Sequence, residues 1–370
     1  MKKLLISSVG SLVAKNILDI LDSPILPRRH LLEVVGLNSQ AAVPANFRCD
    51  RAYLVPESKD YPAMTARVME ILELEKPDLI LVGRDEDLRF WARFRSEHPD
   101  AARAVCWGEA GLVAVLADKF AAWEFATARG LPYGRTLRCP ATATELSAFA
   151  AAVHLPVIGK PRFGSGSRGV HLLSSRSELE AGASMSDWVL QEYLSPPGQP
   201  LPAPPPGPGL PLAWQFELGS CFSAQVLIGR QGRILGGFHG RYSLLHGQWQ
   251  ILEAVNDPGL EALTAACATE LAEAGWLGPV NLEARPNQHG EWQIIEWNLR
   301  MTGQSHARFC LGFDELGLLL REFLALPDFP IYYRKPDQAL PRLYAQPDLQ
   351  VLDPRQQDLL QTVQVWSKEG

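Results

Sequence analysis

The sequence predicts an α/β and α+β chain: a doubly wound parallel sheet at the N-terminus, then antiparallel structure rich in hairpins. Three observations predict it. Residues 4–110 alternate short apolar runs with amphipathic stretches. A loop of glycines and serines joins two short strands between residues 156 and 173. A hairpin over residues 278–300 carries two glutamates, an asparagine and an arginine.

The chain opens Met1-Lys2-Lys3 before Leu4-Leu5-Ile6, which imitates the start of a signal peptide. Ser7-Ser8-Val9-Gly10-Ser11 breaks that apolar run at once. Val13, Ile17, Ile20 and Leu21 then fall on one helical face. A first strand, a glycine turn and a first helix are therefore expected, in a cytoplasmic chain. Residues 31–37 and 78–82 read as buried parallel strands. Tyr61, Met64, Val68, Ile71 and Leu72 form the core stripe of a helix between them. Only Gly10 marks the first turn, so the dinucleotide fingerprint Gly-x-Gly-x-x-Gly is absent. In Gly83-Arg84-Asp85-Glu86, a local ion pair between Arg84 and Asp85 is one reading.

Further on, Pro156-Val157-Ile158-Gly159-Lys160-Pro161 is a short strand ending in a lysine. Phe163-Gly164-Ser165-Gly166-Ser167-Arg168-Gly169 follows, then a second strand, Val170-His171-Leu172-Leu173. Such a loop can wrap backbone N–H groups and hydroxyls around phosphate oxygens. It is not a Walker A loop, which needs Gly-Lys-Ser/Thr running into a helix. A flexible surface hairpin would use the same residues.

The last hairpin reads Gly278-Pro279-Val280-Asn281-Leu282-Glu283, turns through Pro286-Asn287-Gln288-His289-Gly290, and returns as Glu291-Trp292-Gln293-Ile294-Ile295-Glu296-Trp297-Asn298-Leu299-Arg300. A turn centred on His289-Gly290 sets Glu283 directly across from Glu296, about 5 Å apart at Cβ. Glu296 and Asn298, two apart, share a face. Three oxygen-bearing side chains then suit one or two Mg²⁺ ions. A hairpin with a solvated acidic face is the plainer alternative.

Upstream, Ala117-Asp118-Lys119-Phe120 supplies a lysine, Lys160 precedes the glycine loop, and Val189-Leu190-Gln191-Glu192-Tyr193-Leu194 reads as a hinge strand. With Glu283 and the run Glu296, Asn298, Arg300, this order of motifs resembles the ATP-grasp superfamily. The likeness is nearest to stand-alone proteins similar to the carbamoyl phosphate synthase large subunit, and it extends to about residue 325. It implies a pre-ATP-grasp Rossmann-like domain over 1–110, with substrate contacts near Gly10 and residues 83–86. A small lid over 111–195 and a larger antiparallel half over 212–330 would follow. Between these halves, residues 196–211 are proline-rich and read as a semi-rigid surface loop. Residues 331–370 form an extension outside the resemblance.

The resemblance also implies roles. Lys119 and Lys160 would meet the α- and β-phosphates of ATP, and Gly164, Ser165, Gly166, Ser167 and Gly169 would close over the β- and γ-phosphates. Backbone groups of Glu192, Tyr193 and Leu194 would meet the adenine edge. Glu296 would bridge two Mg²⁺ (or Mn²⁺) ions, with Glu283 on one and Asn298 on the other, and Arg300 would stabilise the transferring phosphoryl group. Arg241 and His306 are further candidates for phosphate or substrate contacts. Two positions depart from the pattern. Cys221 stands where an acid binds the ribose, unless a strand shift brings Glu217 there, and Leu299 replaces a proline.

The activity so implied is an ADP-forming carboxylate–amine ligase working through an acyl-phosphate. Its partners would be a small carboxylate and an amine, amino acid or peptide among them. Carboxyphosphate or carbamoyl-phosphate chemistry is an alternative, and a non-catalytic ATP-binding protein another. Relatives suggest a homodimer. A net charge of −6, with no basic run, argues against nucleic acid as a partner. Six cysteines without Cys-x-x-Cys spacing suggest neither zinc nor a disulfide framework. No stretch is long enough to span a bilayer.

Overall fold

The computed structural model describes residues 1–105, 109–164, 168–198, 215–245, 248–334, 342–345 and 352–368. The first sheet is built from β1 (Lys2–Ile6), β2 (Leu32–Asn38), β3 (Arg51–Leu54) and β4 (Leu79–Leu81), all parallel, in the order β3-β2-β1-β4. Leu4, Leu5, Ile6, Val34 and Val35 are fully enclosed, as strands covered on both faces must be. The helix Leu12–Leu21 starts where the Ser11 side chain accepts the Ala14 N–H, and it buries the expected Val13, Ile17, Ile20 and Leu21. The helix Tyr61–Glu75 buries Met64, Val68, Ile71 and Leu72 in the same way.

Strand order reverses at β1: β2 lies on one side and β4 on the other. The loops after β1 and β4 therefore open into one crevice, where ligands bind in open α/β sheets. They touch closely there. A Cβ on Gly83 would lie 2.5 Å from the Ser7 carbonyl oxygen, so only glycine fits. Ser7 Oγ donates to Asp87 at 2.9 Å and fastens the first loop to the helix Asp85–Glu97.

The second sheet is small and antiparallel: β5 (Thr136–Arg138), β6 (Val157–Pro161), β7 (His171–Leu173) and β8 (Trp188–Glu192), in the order β5-β8-β6-β7. Two helices, Ala143–Ala152 and Arg176–Ala183, accompany it, each opened by a capping box. Phe149, Leu179, Trp188 and Leu190 form their shared core.

The third sheet is antiparallel throughout, in the order β13-β12-β9-β10-β11-β14. Its strands are β9 (Gln215–Ile228), β10 (Ile234–Leu245), β11 (Gln248–Ala254), β12 (Gly278–Pro286), β13 (Trp292–Asn298) and β14 (Leu343–Tyr344). A turn at residues 229–232 joins β9 to β10, with Gln231 and Gly232 both at positive φ. The β12–β13 pairing sets Glu283 opposite Glu296, as expected. The turn is one residue tighter than expected, since Pro286 faces Trp292 and Ala284 faces Ile294. An extra residue on β13, Ile295, restores the register before Glu296.

Two short strands near the C-terminus join the sheets. β14 pairs with β11, and β15 (Val365–Ser367) pairs antiparallel with β3, which completes the first sheet. Trp366 packs edge-on against Phe47 with ring centroids 5.4 Å apart. Among the described residues no helix is long and apolar enough to cross a membrane. Cys49, Cys139, Cys221, Cys267 and Cys310 are free thiols. Most of the proline-rich segment, residues 199–211, lies outside the described residues.

Candidate active site

The site is assembled where the three sheets meet. Asp118 caps the helix Lys119–Ala128 and is clasped by Arg162, which follows β6 directly. That clasp brings Lys119, at the helix start, beside Lys160 on β6. Lys119 Nζ donates to the Gly164 carbonyl at 3.0 Å, and both lysine Nζ atoms lie 3.8 Å from Glu296 Oε2. Across the ladder, the Tyr242 hydroxyl on β10 donates to Glu283 at 2.5 Å. β8 is fixed to the same hairpin by Gln191, whose buried amide donates to Thr136 Oγ1 and to the Ile295 carbonyl, each at 3.1 Å. The bulged residue of β13 thus anchors β8.

Electrostatically the site is strained in two opposite senses. Burial pushes the Glu283 carboxyl up to about 8, with the Glu296 charge adding to the shift and the Tyr242 hydroxyl opposing it. Burial draws the Lys160 ammonium down to about 8, against the attraction of Glu296. A cation at the glutamates and an anion at the lysines would relieve both at once. Among the described residues no three His, Cys, Asp or Glu side chains converge on one point. The oxygens that could hold a hard cation are those of Glu283 and Glu296 and the amide oxygen of Asn298, which accepts from Arg300 Nη2 at 3.4 Å. That is the sparse oxygen set Mg²⁺ uses when phosphates complete its shell.

Two cavities open from this centre. The smaller lies between the second sheet and the third; Lys119, Lys160, Gly164, Tyr193, Leu194 and Arg285 are among its walls. The other, a cleft of about 1020 Å³, runs along the strand ends of the first sheet, past Ser8, Arg84, Arg89, Asn298, Arg300 and Gln304. Glu283, Glu296, Tyr242, Leu244 and Arg168 line both.

Similar solved structures share this arrangement of sheets. An N5-carboxyaminoimidazole ribonucleotide synthetase in its ADP complex is 16% identical, over 90% of this chain and 78% of that chain, with a TM-score of 0.63. The biotin carboxylase domain of the Hydrogenobacter thermophilus 2-oxoglutarate carboxylase is 17% identical, over 87% and 69%, with a TM-score of 0.64. An L-amino acid ligase from Bacillus licheniformis is 16% identical, over 87% and 74%, with a TM-score of 0.59. The chain has the ATP-grasp fold. No family model matches it, nor does any curated protein sequence. At these identities the likeness is one of fold, so chemistry must be argued from the site.

Within the ATP-grasp fold most of the expected residues converge. Gly169, at positive φ, packs on Pro161, while Ser165, Gly166 and Ser167 lie outside the described residues. Of the hinge, Glu192 ends β8 and its N–H is taken by the Arg135 carbonyl at 2.9 Å; Tyr193 and Leu194 follow the strand. Asp85 holds Arg300, with Nε to Oδ1 at 2.8 Å and Nη2 to Oδ2 at 2.6 Å. Arg300 consequently lines the large cleft rather than the smaller cavity.

Two candidates lie elsewhere. Arg241 points away from both cavities and pairs with Glu253 at 2.5 Å. His306 belongs to the helix Ser305–Cys310, where its ring stacks on Phe309 and its Nε2 lies 3.7 Å from Cys310 Sγ. Its backbone N–H donates to Asn16, a packing contact with the first domain. Cys221 lines the smaller cavity, whereas the Glu217 side chain is outside what the structure describes. Tyr242 and Arg285 are the residues that sequence reasoning missed. Alternation along β10 was the available signal, because an exposed Arg241 places Tyr242 on the opposite, inward face.

Proposed function

We propose that the chain is an ADP-forming ligase that activates a small carboxylate with ATP and couples it to an amine. One observation carries this reading: the two cavities meet at Glu283 and Glu296, so a nucleotide in one presents its γ-phosphate to an acceptor in the other. ADP accompanies the synthetase and the biotin carboxylase domain named above, the latter also with magnesium and bicarbonate, which supports the nucleotide assignment by analogy of fold.

In this reading a carboxylate oxygen of the acceptor attacks the γ-phosphorus, and the bond to ADP breaks. The amine then attacks the acyl carbon, phosphate leaves, and the amine proton passes to solvent. Lys119 and Lys160 hold the phosphates against the glutamates, exchanging their contacts with Glu296 for phosphate oxygens. Gly164 and Arg168 wall the site and help keep water from the activated acid. Tyr242 fixes Glu283 in one rotamer, and Arg300 faces the developing charge from the acceptor side. Two Mg²⁺ ions on Glu283, Glu296 and Asn298 would neutralise phosphate charge and align the oxygens in flight.

The test is release of ADP and phosphate from MgATP across pooled carboxylates and amines, bicarbonate and ammonia included, with products read by mass spectrometry. A product of acid plus amine less water supports the reading. ADP formation that no acid-and-amine pool stimulates would contradict it.

A further inference from the structure

The geometry points to Arg285 as the residue that grips the sugar of the bound nucleotide, a guanidinium doing what a carboxylate could otherwise do. The inference rests on the nucleotide reading of the lid-side cavity. Arg285 lies on β12 two residues past Glu283, so both side chains leave the strand on one face, with Cα atoms about 7 Å apart. The side chain is buried, and its guanidinium carbon lies 5.5 Å from the centre of the Tyr193 ring. Its Nη2 is 3.3 Å from Cys221 Sγ.

Those contacts fix its place along the cavity. Tyr193 marks the hinge end, and Glu283 with Glu296 marks the phosphate end. A nucleoside triphosphate spanning the two has base, sugar and phosphates in that order, which sets the sugar over Arg285 and Cys221. The described carboxylates of this cavity are committed elsewhere: Glu283 and Glu296 at the phosphate end, and Glu192 with an oxygen 3.4 Å from the Arg135 amide nitrogen. The buried thiol beside Arg285 is a weak acceptor at best.

The chemistry differs in a testable way. A carboxylate accepts from ribose hydroxyls and so requires their protons, whereas a guanidinium donates and requires only their oxygens. An O-methyl ether keeps the oxygen and loses the proton; a deoxy sugar loses both.

The experiment measures dissociation constants of full-length protein for MgATP, its 2′- and 3′-deoxy analogues and its 2′- and 3′-O-methyl analogues, alongside Arg285→Met and Arg285→Lys. Wild type should bind one deoxy analogue roughly tenfold more weakly than ATP and bind the matching O-methyl ether better than that deoxy analogue. Arg285→Met should abolish the difference between ATP and deoxy-ATP, and Arg285→Lys should restore part of it. Wild type that treats ATP and both deoxy analogues alike overturns the inference, as does a folded Arg285→Met that still discriminates. Wild type that binds no MgATP overturns the nucleotide reading itself, and this inference with it.

Discussion

Arg300 and Asp85 form a two-pronged ion pair that joins the end of the β12–β13 hairpin to the helix Asp85–Glu97, 215 residues away in sequence. Both prongs are short, and the guanidinium is buried while Asp85 is partly exposed at the start of its helix. The pair holds the arginine in the large cleft, beside the two glutamates. Arg300 also donates to the Met301 carbonyl at 3.2 Å, so its plane is fixed from two sides. In the proposed ligase reading, this one side chain links the acceptor cleft to phosphoryl transfer.

Asp85→Asn should therefore lower kcat by roughly a hundredfold, because it loosens the aim of Arg300 rather than removing it. The affinity for MgATP should stay within about threefold, since Arg300 lies outside the nucleotide-side cavity. Steady-state kinetics with a parallel binding titration check this. Loss of ATP affinity with kcat intact would contradict it.

Glu296→Ala should abolish turnover, by roughly a thousandfold or more, with the melting temperature little changed. The same substitution frees Lys119 and Lys160 from the oxygen that lies 3.8 Å from both. Metal-free ATP should then bind at least as tightly as it does to wild type. Calorimetry with and without Mg²⁺ separates the two effects, and weaker metal-free binding would count against the site.

Lys160→Ala removes a buried cation from the phosphate end. ATP affinity should fall about tenfold to a hundredfold, the worth of one hydrogen bond to a charged group. Isothermal titration checks it, and unchanged affinity would exclude Lys160 from the phosphate contacts.

Glu75 supplies a test of the fold instead of the site. Burial alone would raise its carboxyl, but hydrogen bonds from Arg51, Lys3 and Tyr53 hold it down to about 2, below the ordinary 4.5. A depressed carboxylate stabilises the folded state above its unfolded value, and that stability is lost as pH falls towards the folded value. Glu75→Gln should cost about 2 kcal/mol at neutral pH. The gap between the two proteins should narrow below pH 4.5 and close near pH 2. Chemical denaturation at several pH values measures it.

The parts legible in the sequence were those with a local signature. Turn residues and period-two alternation were enough to put Glu283 across from Glu296, even though the turn proved tighter and Ile295 had to make up the difference. Helical spacing located the stripes of Met64, Val68 and Ile71. What escaped were long-range pairings, which leave no local trace. Val365–Ser367 completing the first sheet is one, and Asp85 reaching Arg300 is another. His306 was singled out for its chemistry, but its surroundings are a packing interface with the helix Leu12–Leu21. Along β10, strand alternation puts Tyr242 at the site and Arg241 on the exposed face.

The most direct test of the central claim follows an oxygen atom. Carboxylates labelled with heavy oxygen would be pooled with amines and MgATP, and the released phosphate analysed by mass spectrometry. If the acceptor meets the γ-phosphate at Glu283 and Glu296, one labelled oxygen appears in each phosphate formed with product. Product formed with unlabelled phosphate would mean that no carboxylate oxygen ever bonded to phosphorus, and the proposed chemistry would be wrong.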